Sequence, residues 1–239
     1  MSAGAARVNV SGHYKKLRSN QIDVACEIFN DAWQNPEIPA LQFESVVKNE
    51  LEDFRSGKEC APFDALVTLL RKIPDWNNPS LLDVGASSGY YSEVLRIAQL
   101  ACRYTALDFS TYYKDLAEKL FPEIDFRIGH ATELPFRDES FDIVLHGAVL
   151  MHLKRYREAI REAARVARRY VIFHRTAVYF DDTPTEAFVK TAYGVPCVEF
   201  HFRFTEIVEQ FFANGLKLID SVDVFRDGHF GHRSFLFAK

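Results

Sequence analysis

The chain has 239 residues, 48% of them hydrophobic and 26% charged, with a formal net charge of −4. That balance supports a full hydrophobic core and excludes an intrinsically disordered chain. Net acidity without a basic tail argues against a nucleic-acid partner, and no apolar run approaches the ~20 residues of a membrane span. The first eleven residues read as a loose leader without the apolar stretch of a signal peptide. Cys26, Cys60, Cys102 and Cys197 are far apart and form no C-x-x-C pair. The expectation is therefore a cytoplasmic protein with reduced thiols, neither disulfide-linked nor zinc-bound.

From Gly12 to about Ile73 the pattern is helical. "DVACEIFNDAW" and "FESVVKNELEDFRSG" carry apolar residues at helical spacing, and "PFDALVTLLRKIP" opens with Pro62 in the first turn and stops at Pro74. "PDWNNPS" is a turn-rich linker. Residues 1–75 are thus expected to form an N-terminal helical extension or lid, and 76–239 the main domain.

After the linker, strands and helices alternate. "SLLDVG", "RYTALDF", "IDFRIGH", "FDIVLHGA" and "YVIFHRTAV" read as five strands, with "SSGYYSEVLRIAQL", "TYYKDLAEKLF" and "YREAIREAARVARR" as helices between them. Such alternation implies βαβ units and a parallel sheet covered on both faces. The helix "TEIVEQFFANG" follows, then the strands "LKLIDSVDVF" and "RSFLFAK", joined only by "RDGHFGH". So short a link requires an antiparallel hairpin. The predicted fold is α/β: a doubly wound, seven-stranded, mostly parallel sheet with an antiparallel terminal hairpin strand, plus the helical extension.

Two features point to a nucleotide cofactor. "GASSG" between the first strand and helix is a small-residue turn, where a backbone can approach a ligand at a helix N-terminus. It is not G-x-G-x-x-G, and alone it equally suits a plain strand-to-helix corner. The second strand ends in Asp108, an acid placed to accept both hydroxyls of a ribose; capping the next helix is its alternative, for which Ser110 is available.

With these motifs the sequence resembles class I S-adenosylmethionine-dependent methyltransferases, in particular the type 11-like small-molecule group, over roughly residues 80–239. "LLDVGASSG" is similar to the family's first motif, "ALDFS" to its ribose-binding strand end, and "GHATELPFRDESFDIVLHGAVLMHL" to its adenine-loop and fourth-strand block. The resemblance implies S-adenosyl-L-methionine as cofactor and a small-molecule substrate. It implies a cofactor shell of Asp83, Gly85, Ala86, Ser87, Gly89 and Tyr90 at the first turn. Asp108, Phe109 and Ser110 belong to the ribose strand end, and His130, Ala131 and Thr132 to the adenine edge. His146 and Gly147 would lie under the sulfonium. Ser87 replaces the usual middle glycine, and His130 replaces the usual acid beside the adenine amino group. These departures leave open a catalytically inactive, scaffold-like member, and another nucleotide-cofactor enzyme on a similar sheet is the further alternative.

Methyl transfer to a hydroxyl needs a base, usually His or a carboxylate. His146, His152 and His174 stand at or just after strand ends and are the catalytic candidates. Arg175, Tyr193 and Arg203 are the substrate-binding candidates, the arginines for an anionic group. The long segment 177–203 reads as an insertion near the substrate. It is expected to be an aromatic-lined pocket, a small packed helix, or a homodimer contact. Asp181 and Asp182 read as a solvated turn rather than a metal site, and Arg157, Arg161 and Arg165 as a solvated helix face. The acceptor is expected to be a sugar or specialised metabolite, methylated on oxygen.

Overall fold

The computed structural model describes residues 11–29 and 32–239. The leader read over residues 1–11 lies outside the described residues, apart from Ser11. The extension contains a strand β1 (Ser11–Lys16), helices α1 (Ser19–Ile28) and α2 (Glu37–Gln42), a π-helical stretch over Phe43–Glu50, and helices α3 (Leu51–Arg55) and α4 (Ala61–Leu70). The helices follow the apolar spacing. The strand β1 was not expected, because "SGHYKK" has no apolar alternation. It exists through backbone pairing at a sheet edge, which side-chain pattern does not announce.

From Ser80 the chain alternates through β2 (Ser80–Val84), α5 (Tyr91–Ile97), β3 (Arg103–Asp108), α6 (Thr111–Leu120), β4 (Asp125–Ile128), β5 (Phe141–Gly147), α7 (Tyr156–Val166) and β6 (Ala167–Tyr179). The strands lie in the order β4-β3-β2-β5-β6, all parallel. The chain steps outward from β2 to β4, then returns to the other side of β2 as β5. That reversal opens a crevice at the carboxyl ends of β2 and β5.

The chain ends with β7 (Glu186–Ala192), β8 (Val195–Arg203), α8 (Phe204–Ala213), β9 (Lys217–Asp227) and β10 (Phe230–Ala238). As the short connection requires, β9 and β10 pair antiparallel, and β10 also lies antiparallel against β6. The seven-stranded core is extended by β8, β7 and β1 into a ten-stranded sheet.

Here the expectation for residues 177–203 is corrected. Most of the segment is the β7–β8 hairpin rather than a small packed helix, and one of its aromatic residues, Tyr193, lines the cavity described below. The hairpin's two-residue turn is Tyr193–Gly194, with φ of 48° and 79°. Two left-handed residues in a row match the right-handed twist of the flanking strands. β8 touches β6 only at its end, through Val178–Phe202 and Tyr179–Arg203, and β1 closes the outer edge against β7.

The abundant phenylalanines build core. Phe173 stacks on Phe211 at 4.5 Å between centroids, and Phe211 meets Phe237 at 4.8 Å. All three are fully buried on the α7/α8 face of the sheet. Each such ring contributes about 1.5–3 kcal/mol of burial. The opposite face packs Leu66, Leu69 and Leu70 of α4 and Val94 and Leu95 of α5. A third, small cluster joins Ile38 of α2, Tyr113 of α6, and Ala192, Tyr193 and Cys197 of the hairpin. It fixes the extension over the strand ends. Among the described residues no helix is long and apolar enough to cross a membrane.

Candidate active site

A cavity of about 750 Å³ lies over the crevice at the strand ends. Its floor is set by the turn after β2. Gly85 and Ala86 donate their N–H groups to the Leu107 carbonyl at 2.8 and 3.1 Å, strapping the turn to β3. Gly85 has φ 70°, and a Cβ there would sit 2.0 Å from Val149 Cγ2. Only glycine satisfies both constraints. Ser87 also has left-handed backbone, φ 52°, which explains why glycine is usual at this point of the motif. Its N–H donates to Asp108 Oδ2 at 3.0 Å, and its hydroxyl accepts from Gln42 Nε2 at 3.3 Å. The side chain thus ties α2 to the turn.

Asp108 is fixed from both sides, since its Oδ1 accepts the Ser110 N–H at 3.0 Å. Burial raises its pKa to about 6, against the pull of those backbone donors. Asp108, Phe109, His130, Ala131, Thr132, Gly85, Ser87, Tyr90 and Gly147 all line the cavity. Asp83, Ala86, Gly89, Ser110 and His146 do not line it. Asp83 lies behind the turn and accepts a hydrogen bond from the Tyr104 hydroxyl. Burial pushes its pKa up to about 7.

His130 is tied to its own loop. Its Nδ1 lies 2.8 Å from Thr132 Oγ1 and accepts the Thr132 N–H at 3.3 Å. In the neutral ring the proton is therefore on Nε2, which can donate but not accept. Burial, with Arg155 next, lowers its pKa and keeps it neutral.

The three catalytic candidates separate cleanly, and only His152 reaches the cavity. Its Nδ1 lies 3.1 Å from the Val198 carbonyl. A carbonyl can only accept, so Nδ1 carries the proton and Nε2 holds the lone pair. Burial foremost, then the charge of Lys190, lowers its pKa to about 4. His174 is buried, with its Nδ1 2.8 Å from Ser234 Oγ. His146 is 1% exposed, packs against Phe173, and finds no partner for either nitrogen among the described residues.

Burial lowers the His146 pKa to about 3. The unfolded chain protonates this ring below pH 6.5 while the native state does not, so stability falls as pH drops from 6.5 toward 3. His146→Phe is expected to remove that loss. Its advantage over wild type in urea unfolding should grow by about 1.4 kcal/mol per pH unit below 6.5. An identical advantage at pH 7.5 and 5.5 would show that His146 is not buried neutral.

Of the substrate candidates, Arg175 and Tyr193 line the cavity and Arg203 does not. Arg203 instead donates to the Asp182 carbonyl and pairs with Glu206 at 3.5 Å. Asp181 caps its own turn by accepting the Thr183 N–H at 3.0 Å. Arg165 is less solvated than expected, holding Glu162, Asp138 and the Phe136 carbonyl.

The sequence reading placed the extension and the 177–203 insertion near the site but did not pick out the residues that wall it. Trp33, Gln42 and Val46 of the extension, and Lys190, Cys197 and Val198 of the hairpin, close the cavity. Behind Lys190, buried Glu199 pairs with its amine and lies 2.9 Å from His201 Nε2. Burial opposes the Glu199 charge, yet His201, His152 and Lys190 together hold its pKa well below the usual range. The missed signal was the "YGVP" turn, which marks a hairpin. Four non-glycine residues with left-handed backbone line this one cavity: Ser87 and Tyr193, with Ala148 and Arg175 at φ 59° each. Each costs about 1–3 kcal/mol, and such strain gathers at functional sites.

Comparison with known proteins agrees with this geometry. Residues 82–173 match the family model described as a methyltransferase domain. A probable S-adenosylmethionine-dependent methyltransferase of Mycolicibacterium smegmatis is 28% identical over 148 residues, 61% of this chain and 54% of the relative. A demethylmenaquinone methyltransferase of Renibacterium salmoninarum is 39% identical over 88 residues, 37% of this chain and 36% of the relative. The chain thus spans about half or less of the length of these curated relatives. Among solved structures, the 1,6-didemethyltoxoflavin-N1-methyltransferase of Burkholderia thailandensis, with S-adenosylhomocysteine and 1,6-didemethyltoxoflavin bound, superposes with a TM-score of 0.63 at 16% identity. That match covers 96% of this chain and 98% of the other. The whole chain therefore has the fold of S-adenosylmethionine-dependent methyltransferases of known structure, and residues 82–173 match a methyltransferase domain.

Proposed function

We propose that the chain transfers a methyl group from S-adenosylmethionine to a hydroxyl oxygen of a small acceptor, a sugar or specialised metabolite. The observation that carries this reading is one cavity lined by both Asp108 and His152. The residues fit the cofactor. Each Asp108 oxygen is anchored by one N–H and keeps lone pairs for ribose hydroxyls. Gly85 keeps the turn open where a side chain would collide with Val149. Phe109 offers a ring face beside His130 at 5.9 Å for an adenine.

When bound, the cofactor supplies a methyl group on a sulfonium, an excellent leaving group. The protein's work is then to orient the acceptor and exclude water. The described part of the extension acts as the lid, since Trp33, Gln42 and Val46 wall the cavity and Gln42 is tied to Ser87. His152 Nε2 takes the proton of the acceptor hydroxyl. Glu199 Oε2, 3.8 Å from that nitrogen, stabilises the imidazolium formed.

The test is incubation with S-adenosylmethionine labelled in its methyl group and a panel of hydroxylated sugars and metabolites. Label in an acceptor ether is the expected result. Cofactor binding with no label transferred to any acceptor would favour the scaffold reading.

A further inference from the structure

Among the described residues, the cationic side chains at the cavity wall are ion-paired, with one exception. Lys154 pairs with Asp23 at 3.0 Å, Arg155 with Glu158 at 3.1 Å, and Lys190 with Glu199. Arg175 forms no such ion pair among the described residues, and its Nε is buried without a hydrogen-bond partner there. Burial works against its charge, but Tyr91, Tyr90, Glu50 and Tyr193 more than offset that and hold its pKa above the usual value. The guanidinium is therefore charged, lines the cavity, and forms no ion pair with a described residue. It is also positioned at a cost. Arg175 has left-handed backbone at φ 59°, and its N–H is held by Ser234 Oγ at 3.2 Å.

Its place along the sheet says what it faces. Across the sheet the order is Asp108 at the end of β3, Gly85 after β2, Gly147 at the end of β5, and Arg175 within β6, next to His174, which pairs with Gly147. At about 4.8 Å per strand, Arg175 is about 14 Å from the ribose acid across the sheet. In strand order it lies beyond Gly147, and its charge is felt by Tyr193 of the hairpin as well as by Tyr91, Tyr90 and Glu50. That is the end of the cavity left to the acceptor if methyl transfer is the activity, a reading on which this inference rests.

We propose that the acceptor is a hydroxyl-bearing carboxylic acid whose carboxylate is held by Arg175. A guanidinium fork matches a carboxylate in two parallel hydrogen bonds. A phosphate monoester carries nearly twice the charge and would need a second uncommitted cation, whereas Lys190 is already bound to Glu199. The carboxylate acts as a handle, and the hydroxyl elsewhere on the molecule is left to face His152.

The test uses the intact chain saturated with S-adenosylhomocysteine. Aromatic and aliphatic monocarboxylates, each with its matching carboxamide, and phenyl phosphate are ranked by saturation-transfer NMR. Carboxylates are expected to bind about tenfold more tightly than their amides, a preference lost in Arg175→Met and partly kept in Arg175→Lys. Affinity for S-adenosylhomocysteine should change less than about threefold in both variants, with circular dichroism reporting that each is folded. Three results would overturn the proposal. The first is no carboxylate preference in wild type. The second is a preference for phenyl phosphate over every carboxylate. The third is a large loss of S-adenosylhomocysteine affinity in Arg175→Met with 5′-methylthioadenosine affinity unchanged, which would give the guanidinium to the cofactor's own carboxylate. Failure of wild type to bind S-adenosylhomocysteine at all would instead remove the methyl-transfer reading.

Discussion

Asp108→Ala is expected to weaken S-adenosylhomocysteine binding by about a hundredfold or more. The carboxylate stands at the end of β3, each oxygen already taking one backbone N–H, from Ser87 and from Ser110. On the proposed reading the remaining lone pairs would accept two ribose hydroxyls. A hydrogen bond to a charged group contributes about 1.5–3 kcal/mol, so losing two costs about 3–6 kcal/mol, or roughly 10² to 10⁴ in affinity. Asp108→Asn keeps one acceptor oxygen and should lose less. Because burial raises the Asp108 pKa to about 6, the carboxylate form is lost as pH falls through that value. Wild-type affinity should therefore weaken from pH 7 to 5, and the Ala variant should show no such slope. Unchanged affinity in Asp108→Ala by calorimetry would refute the ribose role.

His152→Gln is expected to lower kcat by about 10² to 10⁴, the usual contribution of a general base, with cofactor affinity retained. His152 alone among the three candidate histidines touches the cavity, and the Val198 carbonyl fixes its lone pair on Nε2. His174→Gln, acting on a ring behind the wall, should cost far less. The pH profile adds an independent check. With its pKa lowered to about 4, chiefly by burial, the ring is a free base throughout the neutral range. With the cofactor saturating, so that Asp108 does not enter the profile, kcat should stay level down to about pH 5 and fall only as pH drops through about 4. Full activity of His152→Gln would mean that orientation alone drives transfer.

Much of this was legible in the sequence, for identifiable reasons. Buried parallel strands announce themselves as apolar runs, so β2, β3, β5 and β6 could be read directly, and the short link before "RSFLFAK" forced the terminal hairpin. Asp108 and the turn at Gly85 are local motifs, and local motifs survive without tertiary knowledge. β1 was missed because backbone pairing alone makes it a strand. The β7–β8 hairpin was missed because its aromatic residues looked like a ligand pocket. Phe200 and Phe202 in fact pack beside Tyr156, while Phe188 packs beside His201. The histidines could not be ranked, since the direction a strand-end side chain takes depends on what covers it. The sequence resembled a cofactor site at Ser87. Only the structure shows why a serine stands there, in a conformation glycine favours, its hydroxyl taken by Gln42 of the extension.

Calorimetric titration of S-adenosylmethionine into the intact wild-type chain bears most directly on the cavity's assignment. One molecule should bind per chain, with a sub-millimolar dissociation constant, and S-adenosylhomocysteine should displace it. Absence of binding at that concentration, by a chain shown to be folded, would contradict the assignment.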